Sequence, residues 1–231
     1  MFRARRYSAF TLVEVIVVIA IIGLMLSILS PALNRAKAMA RAVSCSSLMR
    51  NLTMAHYMYF TEEGDVMPIS VNAPAMQPWH TFDYFREQVG LSILAPEYKQ
   101  RRTVIQEYKP SYPRRFICPS ADYALRNSED QLYALDRSYG LNAHVYYASV
   151  GVRVKLMKQT TGRICMADAM DWWFNYWQCD KYSLYGENWL GFSTYGMAAF
   201  RHSNKANITY WDGHCERMTQ EQLKEKLLFW F

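Results

Sequence analysis

From Phe10 to about Leu29 the chain is an almost unbroken apolar run of Val, Ile, Leu and Met, with one acid, Glu14, near its start. A bilayer core takes about 20 apolar residues as a helix, and the run meets that length. Beyond Pro31 the apolar residues Leu33, Ala36, Ala40, Val43, Leu48, Leu52, Ala55 and Tyr59 recur at helical steps, with Arg35, Lys37, Arg41 and Arg50 between them. That spacing predicts an amphipathic helix continuing to about Thr61, with Gly64 as its stop. Pro31 predicts a kink, because a proline inside a straight helix costs ~3 kcal/mol. The alanines at 36, 38, 40 and 42 permit close approach of a second helix and are also simply good helix formers.

The rest of the chain has shorter periods. Prolines punctuate residues 64–120, leaving a short helix at Thr81–Val89, a turn near Ala95–Gln100 and an extended piece at Phe116–Ser120. Arg101, Arg102, Arg114 and Arg115 predict a solvated basic face. Ser138–Asn142 reads as an extended segment ending in a turn, and Arg163–Ala167 as a short strand leading into Asp168. The aromatic stretch Asp171–Trp177 is too apolar for a solvent loop and predicts core or a contact surface. Ala206–Trp211 and His214–Met218 flank Asp212-Gly213, which predicts a hairpin with a two-residue type I′ turn. Thr219 and Gln222 have the spacing of a capping box for a last helix, Glu221–Phe229. The sum is an α+β chain: a long N-terminal helix, membrane-spanning in its first half and amphipathic in its second, packed on a small antiparallel β-sheet head.

With 231 residues and 15% aromatics the chain can build a real core outside the membrane, and disorder is excluded. The net charge is +6, and Arg3, Arg5 and Arg6 at the N-terminus carry half of it. The remainder is too mild to argue for nucleic acid. Five cysteines, Cys45, Cys118, Cys165, Cys179 and Cys215, contain no C-x-x-C pair, which disfavours a zinc ribbon.

Glu14 carries the most information. An ionised carboxylate at the centre of a membrane helix costs roughly 2.5–3.5 kcal/mol on insertion scales, so it needs a purpose. No other charge stands between Thr11 and Ser30. Its expected partner therefore lies outside the segment or in another copy of the chain. No small-residue cleavage site follows the apolar run, as a secretory signal would require. The small residue precedes the run, at Ala9.

Ala9-Phe10-Thr11-Leu12-Val13-Glu14 resembles the processing site of type IV prepilins and type II secretion pseudopilins. The resemblance implies a cut between Ala9 and Phe10 by a prepilin peptidase, with methylation of the new terminus. Ala9 stands where the family usually has Gly. Glu14 becomes the fifth mature residue, pairing with the amine of a neighbouring subunit. The implied partners are the peptidase, other subunits in a homo-oligomeric filament, and an inner-membrane assembly platform. The implied layout is pilin-like: a leader at 1–9, an assembly helix at 10–31, its amphipathic continuation at 32–63, and a periplasmic head at 64–231. The N-terminus would sit in the cytoplasm, and the chain would cross the inner membrane once. Arg3, Arg5 and Arg6 favour that orientation, whereas Arg35, Lys37 and Arg41 oppose it, so the resemblance carries the assignment. A head in an oxidising compartment permits disulfides. Cys45 with Cys118 is the candidate pair, against buried free thiols. No enzymatic activity is expected. The alternative is a membrane-anchored periplasmic binding module that does not polymerise. It would use Trp172–Trp177, Tyr182, Tyr185 and Trp189 to stack on sugar rings, or it would hold a cation.

The C-terminal part resembles a second prepilin-associated pattern. His202 is followed after nine residues by Asp212-Gly213, and the chain also has Cys118-Pro119-Ser120 and Ser138-Tyr139-Gly140-Leu141-Asn142. This H-x9-D-G signature leaves three readings open. In the first it is structural, His202 bonding a loop backbone and Asp212-Gly213 forming the turn. In the second, Asp168, Asp171, Asp180 or Asp212 help hold calcium, which needs six to eight oxygen ligands. In the third, His202, His214, Asp168 and Asp212 form a catalytic or zinc site, although no H-E-x-x-H or G-x-S-x-G motif supports one. Apart from that calcium, no cofactor is expected.

Overall fold

The first helix, α1, runs from Leu12 to Glu62 as one element of 51 residues with Pro31 inside it. In the computed structural model, residues 11–62, 71–72, 77–93, 113–126, 138–142, 162–171, 173–174 and 196–226 are described. At 1.5 Å per residue α1 is about 77 Å long. The helical assignment continues without interruption on both sides of Pro31. Gly64, the Ala95–Gln100 turn, Cys179, Asp180 and most of the aromatic stretch lie outside the described residues.

The chain divides into two units, Met1–Ala40 and Arg41–Phe231. In the first, every described side chain is exposed, including Val15, Ile19, Ile22, Leu26 and Leu29. Among the described residues one helix is long and apolar enough to cross a membrane, and this is its apolar part. In the second unit α1 turns a buried face to the head, through Ala42, Cys45, Met49, Leu52, Thr53, Ala55 and His56. Leu52 and Ala55 match the sequence expectation. Leu33, Ala36 and Ala40 do not, being exposed, and Val43 is 63% exposed. Hydrophobicity alone misplaced the stripe, because the seam is filled by Cys45, Met49, Thr53 and His56 rather than by the most apolar positions.

After α1 come the short antiparallel strands β1 (Val71–Asn72) and β2 (Gln77–Pro78). A 3₁₀ turn at Trp79–Thr81 then leads into α2 (Asp83–Gln88). Arg114–Phe116 is another 3₁₀ turn, followed by extended Ile117 and by α3 (Asp122–Arg126). The extended piece expected at Phe116–Ser120 is therefore extended at Ile117 and mostly turn elsewhere. The main sheet uses β3 (Tyr139–Asn142), β4 (Ile164–Asp168), β5 (Trp173–Phe174), β6 (Ala206–Tyr210) and β7 (Cys215–Met218). Their order is β5-β3-β4-β6-β7. All pairings are antiparallel except β3 with β5, so the sheet is mixed rather than antiparallel. The parallel pair needs no long crossover, because β4 lies between its members in sequence. Residues 169–171 lead from the end of β4 beside β3 toward β5. Gly140 makes that close approach possible. A Cβ there would stand 2.8 Å from Ala169 Cβ, 2.8 Å from the Asp171 carbonyl oxygen and 2.9 Å from Trp173 C.

The two faces of the sheet bury different things. Alternation along β6 sends Ala206, Ile208 and Tyr210 into one cluster with Phe174, Phe200 and Leu223. Asn207 and Thr209, buried polar residues, take the other face. There the Thr209 hydroxyl meets that of Thr53 on α1 at 2.7 Å. Cys45, Met49, Leu52 and Ala55 of α1 share this side with Trp79, Phe85, Phe116, Tyr139 and Leu141. The last helix, α4 (Gln220–Glu225), starts at the capping box the sequence predicts. Thr219 Oγ1 accepts from the Gln222 N–H at 3.3 Å, and Gln222 Oε1 accepts from the Thr219 N–H at 3.0 Å.

The last hairpin differs from expectation. Its loop is Trp211-Asp212-Gly213 between the closing residues Tyr210 and His214. The Gly213 N–H donates to Tyr210 O at 2.8 Å, and Tyr210 N–H to His214 O at 3.0 Å. Only Gly213 takes positive φ, at 83°, so this is the three-residue loop with a glycine bulge rather than a type I′ turn. The double positive-φ turn is at Ser203-Asn204, with φ of 55° and 59°. Its flanking residues His202 and Lys205 exchange both main-chain hydrogen bonds.

His56 makes the head sensitive to acid. The ring is fully buried against Trp79 and Phe85, and burial pushes its pKa down to about 3. The unfolded chain would take up a proton at this position below about pH 6.5 while the folded one does not, so folding weakens as pH falls through that window. Each unit of pH costs about 1.4 kcal/mol from this group. Thermal unfolding of the full chain in detergent, followed from pH 7 to 4.5, should show a steeper loss for wild type than for His56→Leu. Equal slopes would mean that the buried ring is protonated in the folded state.

Candidate functional site

Two places hold the residues singled out by the sequence. The first is the start of α1. Glu14 lies in the first helical turn, where main-chain N–H groups have no partner within the helix. Its carboxylate accepts from the Thr11 N–H and from the Thr11 hydroxyl, both at 2.8 Å. The Thr11 hydroxyl accepts in turn from the Glu14 N–H at 3.3 Å. Thr11 and Glu14 thus form a reciprocal capping box. The expectation that Glu14 has no partner in its own segment is corrected: its partner is three residues away, and the T-x-x-E spacing was there to be read. Ala9 and Phe10 lie outside the described residues.

The second place is inside the head. Cys45 comes from α1, Cys118 from the turn after Ile117, Asp168 from the end of β4, and His202 from the first position of the Ser203-Asn204 turn. All four are buried, and one potential ligand atom from each lies within 4.8 Å of the others. Cys118 Sγ is 3.5 Å from His202 Nε2, and His202 Nε2 is 3.4 Å from Asp168 Oδ2. Main-chain groups hold the cluster from outside. The Ser120 N–H donates to Cys118 Sγ at 3.4 Å, and the Asn207 N–H donates to Asp168 Oδ2 at 2.7 Å. The Cys118 N–H donates to Ser138 Oγ at 3.2 Å. Arg201 ties two neighbouring loops together by donating to Ser138 O and Ala169 O. Asp168 Oδ1 and His202 Nδ1 are buried without a hydrogen-bond partner.

The cluster is electrically organised. Its hydrogen bond to Cys118, reinforced by burial, pushes the Cys45 thiol far up, so Cys45 keeps its proton. Burial opposes ionisation of Cys118, but hydrogen bonds with Cys45 and His202 outweigh it and bring that thiol down to about 6. Burial likewise opposes a charged His202, yet hydrogen bonds to Asp168 and Cys118 raise its pKa to about 9. Between about pH 6.5 and 9 the folded pair therefore holds one proton on the imidazole, and the unfolded pair holds one on the thiol. His202 loses stabilisation as pH rises through that window and Cys118 gains it, so their contributions to the pH slope cancel.

The cluster draws on three separate sequence expectations. Cys45 and Cys118 are neighbours, as free thiols rather than a disulfide. Asp168 belongs to it, whereas Asp171 and Asp212 do not. The His202 ring engages Cys118 and Asp168 side chains; it is the main chain of His202 that closes the local turn. Asp212 is exposed and pairs with His214, accepting from its N–H at 3.1 Å and meeting Nδ1 at 2.6 Å. The H-x9-D-G signature is therefore split between a buried cluster and a surface turn. No spacing in the chain signals the fourfold meeting, because its members are far apart in sequence and on four different elements.

The prokaryotic N-terminal methylation motif matches residues 4–30. The N-terminus is thus prepilin-like, and the match takes in Ala9, Phe10, Glu14 and most of the apolar part of α1. It implies processing by a peptidase and assembly with other subunits of the pilin kind in a membrane system. It does not reach the head. No curated protein and no solved structure matches the chain. The prepilin-like start and the membrane-capable helix agree with a single-pass anchored protein, and the long helix followed by a small sheet has the α+β layout of pilins.

Proposed function

We propose that this chain is a structural pilin or pseudopilin subunit, cut before Phe10 and assembled through its N-terminal helix into a type II secretion pseudopilus or a type IV pilus-like filament. One observation carries the reading. The methylation motif at residues 4–30 runs directly into an uninterrupted helix whose apolar side chains are exposed over the whole first unit. Exposed apolar surface on that scale needs lipid before assembly and other helices after it. Glu14 adds the electrostatic part. Once Phe10 is the terminus, a carboxylate four residues on can pair with the free amine of an adjacent copy. The H-x9-D-G pattern is in keeping with a prepilin-like chain of this kind. The head is periplasmic in this reading, and the N-terminus begins in the cytoplasm.

The test is intact-mass and N-terminal peptide analysis of the chain recovered from membranes that contain a prepilin peptidase. The expected mature start is Phe10, methylated. A start at Met1 would leave a plain anchor and favour a membrane-bound binding module. A cut near residue 30 would mean an ordinary secreted protein and would remove Glu14 from the mature chain.

A further inference from the structure

We propose that Cys45, Cys118, Asp168 and His202 form a closed zinc site that fastens the head half of α1 to the sheet. Two sulfurs, an imidazole nitrogen and a carboxylate oxygen are a donor set suited to zinc. Four protein ligands with no open position describe a structural site rather than a catalytic one. The same donors argue against calcium, which takes six to eight oxygens.

The geometry fits the ion. With Zn–S of about 2.3 Å, Zn–N of about 2.05 Å and Zn–O of about 2.0 Å, a tetrahedron has S···N edges of about 3.5 Å and N···O edges of about 3.3 Å. The corresponding separations here are 3.5 Å for Cys118 Sγ to His202 Nε2 and 3.4 Å for His202 Nε2 to Asp168 Oδ2. All four donor atoms already lie within 4.8 Å of one another, so small rotations bring them onto one centre. Outer contacts are in place for two of the four ligands. Main-chain N–H groups of Ser120 and Asn207 orient the Cys118 sulfur and the Asp168 carboxylate, the kind of support that metal ligands need.

An independent observation points the same way. Asp168 is wholly buried, and its Oδ1 has no hydrogen-bond partner. A buried carboxylate oxygen without a donor is costly, and a cation bound to the group offsets that cost. A disulfide between Cys45 and Cys118 would account for two of the four side chains. It would give no reason for Asp168 and His202 to converge on the same sulfurs. On binding, the ion displaces the Cys45 thiol proton and the extra proton held between Cys118 and His202, and both leave to solvent. The ion joins elements that no single chain segment connects: α1, the turn after Ile117, β4 and the turn before β6.

The full-length chain, purified in detergent without reductant or chelator, is assayed for metal by mass spectrometry and then titrated as apoprotein with zinc and with cobalt(II). The expected result is about one zinc per chain and a rise of several degrees in melting temperature on adding zinc. Cobalt should give a thiolate-to-metal charge-transfer band with the visible bands of a tetrahedral site. Asp168→Asn and Cys45→Ser should lose zinc at stoichiometric concentration, whereas Cys215→Ser, at a half-exposed thiol outside the cluster, should keep it. The wild-type cobalt spectrum is decisive even if a ligand variant fails to fold. A linked Cys45–Cys118 peptide with a chain mass lower by two hydrogens would overturn the proposal, as would apoprotein with free thiols and no tetrahedral cobalt bands.

Discussion

A Glu14→Ala variant is expected to reach the membrane at wild-type level and to be lost from filaments. The apolar run that inserts the chain is untouched, and removing an acid lowers the cost of insertion, by less than the roughly 2.5–3.5 kcal/mol that applies at a helix centre because Glu14 lies in the first turn. Assembly is different, because an N-terminal amine in an apolar bundle needs an anionic partner, and Glu14 is the sole acid between Thr11 and Ser30. The capping box with Thr11 supplies a competing explanation, since the same substitution also strips the helix start of its cap. Glu14→Gln separates the two. Glutamine completes a capping box as well as glutamate does, but it carries no charge. If charge pairing is the assembly function, Gln fails as Ala does; membrane fractionation and the subunit content of sheared filaments would show both at less than about a tenth of wild type, a shortfall of at least ~1.4 kcal/mol in assembly free energy. Normal filaments from Gln with failure of Ala would move the role of Glu14 from the neighbour's amine to its own helix.

Gly140→Ala is expected to cost the head about 3 kcal/mol, at the upper end of what overpacking usually costs. The obstacle is main chain and strand rather than a flexible side chain. The new Cβ meets Ala169 Cβ and the Asp171 carbonyl at 2.8 Å and Trp173 C at 2.9 Å. Those atoms belong to residues just after β4 and to the first residue of β5, so they cannot retreat without breaking the Leu141↔Trp173 and Asn142↔Phe174 pairing. For a unit of this size a loss of that order lowers the melting temperature by about 6–12 °C. Gly140→Val should lower it further. An unchanged melting temperature for Gly140→Ala would show that the link can move aside. The same substitution should disturb the buried cluster, because Tyr139 and Asp168 are register partners one step away. Circular dichroism melts of the full chain in detergent read the stability effect, and the cobalt spectrum reads the second.

Much of the architecture is visible along the chain because it rests on local rules. The apolar run, the length of α1, the strands near Tyr139–Asn142 and Ile164–Asp168, and the Thr219 capping box are consequences of period, propensity and neighbouring residues. The T-x-x-E cap at Thr11 is legible by the same rule. Where α1 meets the head, the local rule breaks down. A stripe chosen by hydrophobicity includes Val43, whereas the burying face runs through Cys45, Met49, Thr53 and His56, residues whose value depends on what stands opposite them. The turns show the same limit. Ser203-Asn204 takes the double positive-φ turn and Asp212-Gly213 does not, because strand register on either side sets the loop length.

The start of the chain is legible along the sequence: an apolar run and its one acid follow each other directly, and the resemblance of Ala9–Glu14 to a prepilin processing site, with the methylation motif at residues 4–30, carries the prepilin-like reading. The buried cluster is the opposite case. Along the sequence Cys45 and Cys118 stand out as a candidate disulfide, and Asp168 and His202 as members of a candidate site with His214 and Asp212, but nothing joins the two pairs. Their meeting depends on α1 packing on the sheet, on the Cys118 turn, and on the His202 turn lying beside the end of β4. Local interactions reach only a few residues and so fix helices, caps and the membrane segment. Contacts between distant segments exist only after the sheet has chosen its order and register, and that choice brings two thiols, a carboxylate and an imidazole to one buried point.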